Sequence, residues 1–81
     1  MDINNLVQMA NRIGDFFATQ PDRQEAMSGI ALHLQRFWEP RMRKAMLAFI
    51  DGQTQSKDGL ELHELVLQAI LAHRTELTPK T

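Results

Sequence analysis

The 81 residues contain no cysteine. That excludes disulfides and thiolate metal sites, and with them an iron–sulfur cluster bound by cysteine thiolates. It also fits a reducing compartment. Neither sign of charge dominates: nine Lys and Arg against ten Asp and Glu leave a net charge of −1 and a pI of about 6.3. A dedicated nucleic-acid binder usually carries a basic surplus, so that class is disfavoured. Long apolar runs are missing too. The stretch Leu65–Ala72 is far too short to span a bilayer. Residues Met1–Asn5 lack the basic start and apolar centre of a secretory leader. These absences predict a soluble, cytoplasmic protein with no membrane and no nucleic acid among its partners. Glycine-rich phosphate loops and alternating strand patterns are also absent. A chain this short buries only about 60–65% of its unfolded surface, so a partner is the remaining external source of stability.

What is present is helical periodicity. Ile3, Leu6, Val7, Ala10, Ile13, Gly14 and Phe17 follow the 3, 4, 7 spacing of one helical face. Asp2 can cap the start and Pro21 ends the run, which predicts a helix over about residues 3–19. Asp22 and Glu25 have the spacing of a capping box. Ala26, Met27, Ile30, Leu34, Phe37 and Trp38 then repeat on one face, for a second helix over about 23–38. Glu39 precedes a proline, and Pro40 suits the first position of a third helix over about 40–51. Met42, Ala45, Met46, Phe49 and Ile50 form its stripe, and Gly52 is a natural C-terminal cap.

Residues 52–58 read as a polar, mobile loop. Asp58 and Glu61 repeat the start signal, predicting a fourth helix over about 60–76 and a frayed tail over 77–81. Leu62, Leu65, Val66, Ala69 and Ile70 make its core face. Leu60, Leu67 and Leu71 spread apolar surface around a second side, which motivates a homodimer. The expectation is an all-α fold, a small single domain of about four helices spanning residues 1–81.

Few residues suggest chemistry. His63-Glu64-Leu65-Val66-Leu67 begins like a zinc-protease helix, but the second histidine four residues on is missing. His33, His63 and His73 therefore read as structural or surface histidines. Ser28 has no histidine placed to activate it within its own helix. Gly14 and Gly29 fall inside helices, at a cost of about 1 kcal/mol each relative to alanine. For Gly14, on the apolar stripe, close approach of another helix explains the cost. Met9 and Phe16 lie off the main stripe and make an exposed apolar patch possible. No catalytic, cofactor-binding or metal-ligating residue is assigned, and the chain itself is read as non-catalytic.

The densest segment is Phe37-Trp38-Glu39-Pro40-Arg41-Met42-Arg43, which holds the only tryptophan and two of five aromatic residues. Arg36, Arg41, Arg43 and Lys44 surround Trp38. Two readings stand. Arginine stems can cover apolar surface while their heads stay in water. Alternatively, the cluster is a docking site for a carboxylate-rich partner, since arginine binds carboxylates bidentately and tryptophan and arginine are enriched at binding hot spots. Trp38 either nails down the core or anchors a partner. The candidate partner-binding residues are Phe37, Trp38, Arg41, Met42 and Arg43, with Trp38, Arg41 and Arg43 as anchors and Phe37 and Met42 packing beneath.

The blocks Leu6-Val7-x-Met9-Ala10-Asn11-x-Ile13, Phe16-Phe17 and His33-Leu34-x-x-Phe37-Trp38-Glu39-Pro40-Arg41-Met42-Arg43 resemble the delta subunit of NAD-dependent formate dehydrogenase. The resemblance covers roughly residues 5–50. Its specific part is the fixed order of aromatic, proline and basic residues, which helical amphipathicity does not demand; the loop and last helix match loosely. The resemblance implies a small accessory subunit without a redox cofactor of its own, in a soluble complex that uses NAD. In that family the alpha subunit carries molybdenum cofactor and iron–sulfur clusters, the beta subunit carries flavin (FMN), and the gamma subunit another cluster. The implied role is support of holoenzyme assembly or stability through contact with the alpha subunit, and with beta or gamma as further neighbours. The alternative from the residues alone is a free-standing helical interaction protein, as a homodimer.

Overall fold

The computed structural model describes residues 2–54 and 59–80. It is all-α: α1 Ile3–Phe17, α2 Arg23–Phe37, α3 Pro40–Ile50, α4 Glu64–Ala72 and α5 Arg74–Leu77. No strand occurs among the described residues. α2 packs most extensively on α4, α1 touches α2, α3 and α4, and α5 closes against α2 and α4. The globule measures 33 × 30 × 19 Å.

Local signals set the first three helices. The Asp2 carboxylate accepts from the Asn4 N–H at 2.9 Å. Asp22 accepts from Gln24 at 2.9 Å and from Glu25 at 3.4 Å. Such caps supply acceptors to N–H groups that have no partner within the helix. α1 ends at Phe17 rather than 19, because the chain tightens before Pro21. Thr19 and Gln20 donate to the carbonyls of Phe16 and Phe17 at 3.3 and 3.1 Å. α2 ends at Phe37, where Trp38 turns to extended backbone at φ −90°, ψ 131°. α3 begins at Pro40 and ends at Ile50, and its last turn closes with Gln53 N–H on the Ala48 carbonyl at 2.8 Å and Gly52 N–H on that of Phe49 at 3.1 Å. This is the paired bonding of a Schellman cap.

The fourth helix departs from the sequence expectation at both ends. Residues 59–63 are not helical, and α4 starts at Glu64. The cause is a tertiary bond. The Asn11 side chain accepts from the His63 N–H at 2.7 Å and donates to the Glu61 carbonyl at 3.0 Å, holding that segment alongside α1. The cap is His63 itself, whose Nδ1 accepts from Leu65 N–H at 3.1 Å. Asp58, the expected cap, and most of the expected mobile loop, 55–58, lie outside the described residues.

At the other end the helix breaks at His73 (φ −117°, ψ 25°), and α5 carries Leu77 inward. Leu77 is only 2% exposed, so the expected frayed tail is corrected at its first residue. Arg74 fixes the turn by donating to both carboxylate oxygens of Asp51 at 2.9 and 2.6 Å.

The core gathers Val7, Ile30, Met46, Val66, Ile70 and Leu77, with Trp38 beside them at 5% exposure. Only about 10 Å³ of free space remains between Trp38, Met46, Ile70 and Leu77, at most about one water's worth. Gly14 lets α1 approach the α4 start: a Cβ there would lie 2.7 Å from Val66 Cγ2 and 2.8 Å from His63 Cγ.

Candidate partner interface

The five candidate residues divide between inside and outside. Trp38 is buried in the core, so of its two readings the structure favours the structural one. Its removal from water is worth at most about 5 kcal/mol, from roughly 200 Å² at about 25 cal/mol per Å². Met42 is half-buried and packs on the core, as expected. Arg43 is half-buried: its guanidinium donates to the Leu77 carbonyl at 3.4 Å while its Nε has no partner among the described residues. Arg41 is exposed, with the Glu39 carboxylate 3.9 Å away. Phe37, expected to pack beneath, is instead 70% exposed. At 100° per residue it falls between Ala26 and Ile30, toward the His33 edge of the α2 stripe, but as the last residue of α2 it lies where the described chain leaves most of its ring open. The positions of Trp38 and Phe37 are thus the reverse of the anchor-and-support arrangement expected from the run.

Phe37 belongs to a larger surface that the run alone did not reveal. The His33 and Phe37 rings meet at a centroid distance of 4.9 Å, tilted by 45°. On α1, Phe16 and Phe17 pack edge to face at 5.1 Å. Phe17 reaches α2 because position 29 is glycine; a Cβ there would stand 2.5 Å from Phe17 Cε1. Between the helices run two shallow hollows of about 270 and 250 Å³, and Phe17 and His33 line both. They therefore adjoin across these two side chains, as a trough in two parts. The expected patch of Met9 and Phe16 is exposed at 41% and 68%, and Leu32 extends the apolar surface onto α2. The signal for the α2 half was the spacing of Gly29, Leu32, His33, Arg36 and Phe37, a second helical row beside the core stripe.

The histidines and Ser28 are not brought together among the described residues. His63 is engaged as a cap, with its Nε2 3.3 Å from Asp15. His73 sits 3.9 Å from Glu76. Ser28 is exposed and has no histidine partner among the described residues. No group of three or more His, Asp or Glu among the described residues is arranged to hold a metal ion, and no helix there is long and apolar enough to cross a membrane.

One perturbed pair stands out. The hydrogen bonds from Arg74 hold the Asp51 carboxyl below its ordinary value, and those to Asp51 raise the Arg74 guanidinium. Both side chains are partly exposed, and the pair joins the end of α3 to α5.

No curated protein and no solved structure matches the chain. A family sequence model does, described as the NADH-dependent formate dehydrogenase delta subunit FdsD, over residues 5–70. The match runs through α1, α2, α3 and most of α4, well past the residues 5–50 that carry the resemblance by eye. With 66 of 81 residues inside that span, the chain belongs to the NADH-dependent formate dehydrogenase delta subunit family.

Proposed function

We propose that this chain is a non-catalytic accessory subunit of a soluble, cytoplasmic NAD-dependent formate dehydrogenase. It docks on the large molybdenum-containing alpha subunit and supports assembly or stability of the holoenzyme. The observation that carries this reading is the family match over residues 5–70. Two features of the chain support it. Having no cysteine, it has no thiolate to offer an iron–sulfur cluster. It also leaves Phe16 and Phe37 largely in solvent, apolar surface that a partner would cover. In this reading molybdenum cofactor, clusters and FMN belong to the other subunits, and Phe37 and Arg41 are the members of the predicted set that reach a partner. Trp38, Met42 and Arg43 hold the segment from below.

Deletion of the chain from cells expressing all subunits tests the role. Reduced yield of assembled, active formate dehydrogenase is expected; unchanged yield and activity defeat the reading. The alternative, a homodimer through the second side of α4, retains Leu71, which is 47% exposed. Leu60 packs against the chain's own core and Leu67 is half-buried. Sedimentation of the purified chain over a range of concentrations decides it, and a monomer throughout removes the dimer.

A further inference from the structure

Phe16 and Phe37 are about 70% exposed and Leu32 nearly half. Together they offer roughly 300 Å² of apolar surface, comparable to the largest patch on a typical monomer. The trough between them is bordered by Arg12 at one hollow and Arg36 at the other, with no carboxylate in the lining of either. Both arginines are exposed, and neither has a hydrogen-bond or ion-pair partner among the described residues.

The carboxylates that helical spacing would offer them are engaged elsewhere. Asp15, three residues after Arg12, lies against His63 at 3.3 Å. Glu39, three residues after Arg36, falls beyond the end of α2 and faces Arg41 at 3.9 Å. The result is an aromatic trough with uncommitted guanidinium groups at its margins. Arginine forks match carboxylates, and protein interfaces are enriched in aromatic side chains, phenylalanine included, and in arginine. A second copy of the chain fits poorly. A symmetric contact sets the same patch against itself, and so brings Arg12 and Arg36 of one copy toward Arg12 and Arg36 of the other.

We propose that the α1–α2 trough receives an apolar segment flanked by carboxylates, carried by the formate dehydrogenase subunit on which this chain docks. The proposal rests on the accessory-subunit reading and assigns its contact surface. Phe16, Phe37 and Leu32 supply the apolar contact. Arg12 and Arg36 fix the register of the segment by pairing with its acidic residues. His33 and Gly29 shape the floor, the one by lying against Phe37, the other by admitting the Phe17 ring.

The test is co-expression of all four subunits with a tag on this chain, followed by recovery of the large subunit. The wild-type chain is compared with F16S/F37S, R12E/R36E and L71S, and circular dichroism of each chain reports its helicity. With the chains equally helical, F16S/F37S is expected to lower recovery at least about tenfold. R12E/R36E is expected to lower it several-fold and to flatten its dependence on salt. L71S, on α4, is expected to leave recovery unchanged. Failure of the wild-type chain to retain any subunit overturns the accessory reading and the surface with it. Retention by the wild type and by F16S/F37S alike overturns the surface alone, as does a loss confined to L71S.

Discussion

Phe37 and Trp38 are neighbours in the chain with opposite fates. The indole is 5% exposed and the phenyl ring 70%. The same contrast holds for two regions of the molecule. Where α2 ends, α3, α4 and α5 close over Trp38 so tightly that almost no free space is left. Across the outer face of α1 and α2 the aromatics have nothing above them within the described chain. Apolar surface thus does two jobs here, and a residue's type does not tell which; its position relative to the other helices does. The first region accounts for the fold, and the second is the surface we propose for a partner.

The sharpest way to break this contrast is to truncate its buried member. Trp38→Ala should cost about 3–5 kcal/mol, the usual range for a buried tryptophan. In a chain of marginal stability that removes most of the folded population at 37 °C, and a thermal melt followed by circular dichroism would show it. Next in size is Asn11→Ala, which deletes both bonds to residues 61–63. At about 1 kcal/mol per bond, a loss of about 2 kcal/mol is expected in urea titration, with faster hydrogen exchange at the His63 amide.

A smaller effect attaches to the Asp51–Arg74 pair. Because the Asp51 carboxyl is lower in the folded chain than its ordinary 3.8, the pair stabilises fully above that pH. Its contribution disappears as the pH falls through the depressed folded value. Asp51→Asn should therefore lower the melting temperature modestly at neutral pH and flatten its decline on the acid side, without changing the melt at the lowest pH. The smallest effect is expected at Phe37. Phe37→Ser should leave the isolated chain within about 0.5 kcal/mol of the wild type, and a larger loss would place that ring in the core after all.

Much of the fold was legible because α1, α2 and α3 are governed by local chemistry: capping carboxylates on α1 and α2, a proline at the turn between each pair, and unbroken apolar spacing. The start of α4 was not. Asp58 and Glu61 have the spacing of a cap, yet Asn11, some 50 residues earlier, captures the backbone from Glu61 to His63. No local pattern encodes that bond. Leu77 escaped for a different reason, since a four-residue helix is too short to show periodicity. At the candidate interface, the run 37–43 does not tell which of its two aromatics is buried. Phe37 sits at the end of the α2 stripe, and only the placement of α1 shows that its companions are Phe16, Phe17 and His33.

The burial of a lone indole beside the half-buried Arg43 gives the molecule a built-in optical probe. Its fluorescence should shift to the red when the helices separate. Because the indole faces the core while Phe16 and Phe37 face solvent, it should respond less when another protein settles on those rings, so one cuvette can tell loss of structure from capture of a ligand.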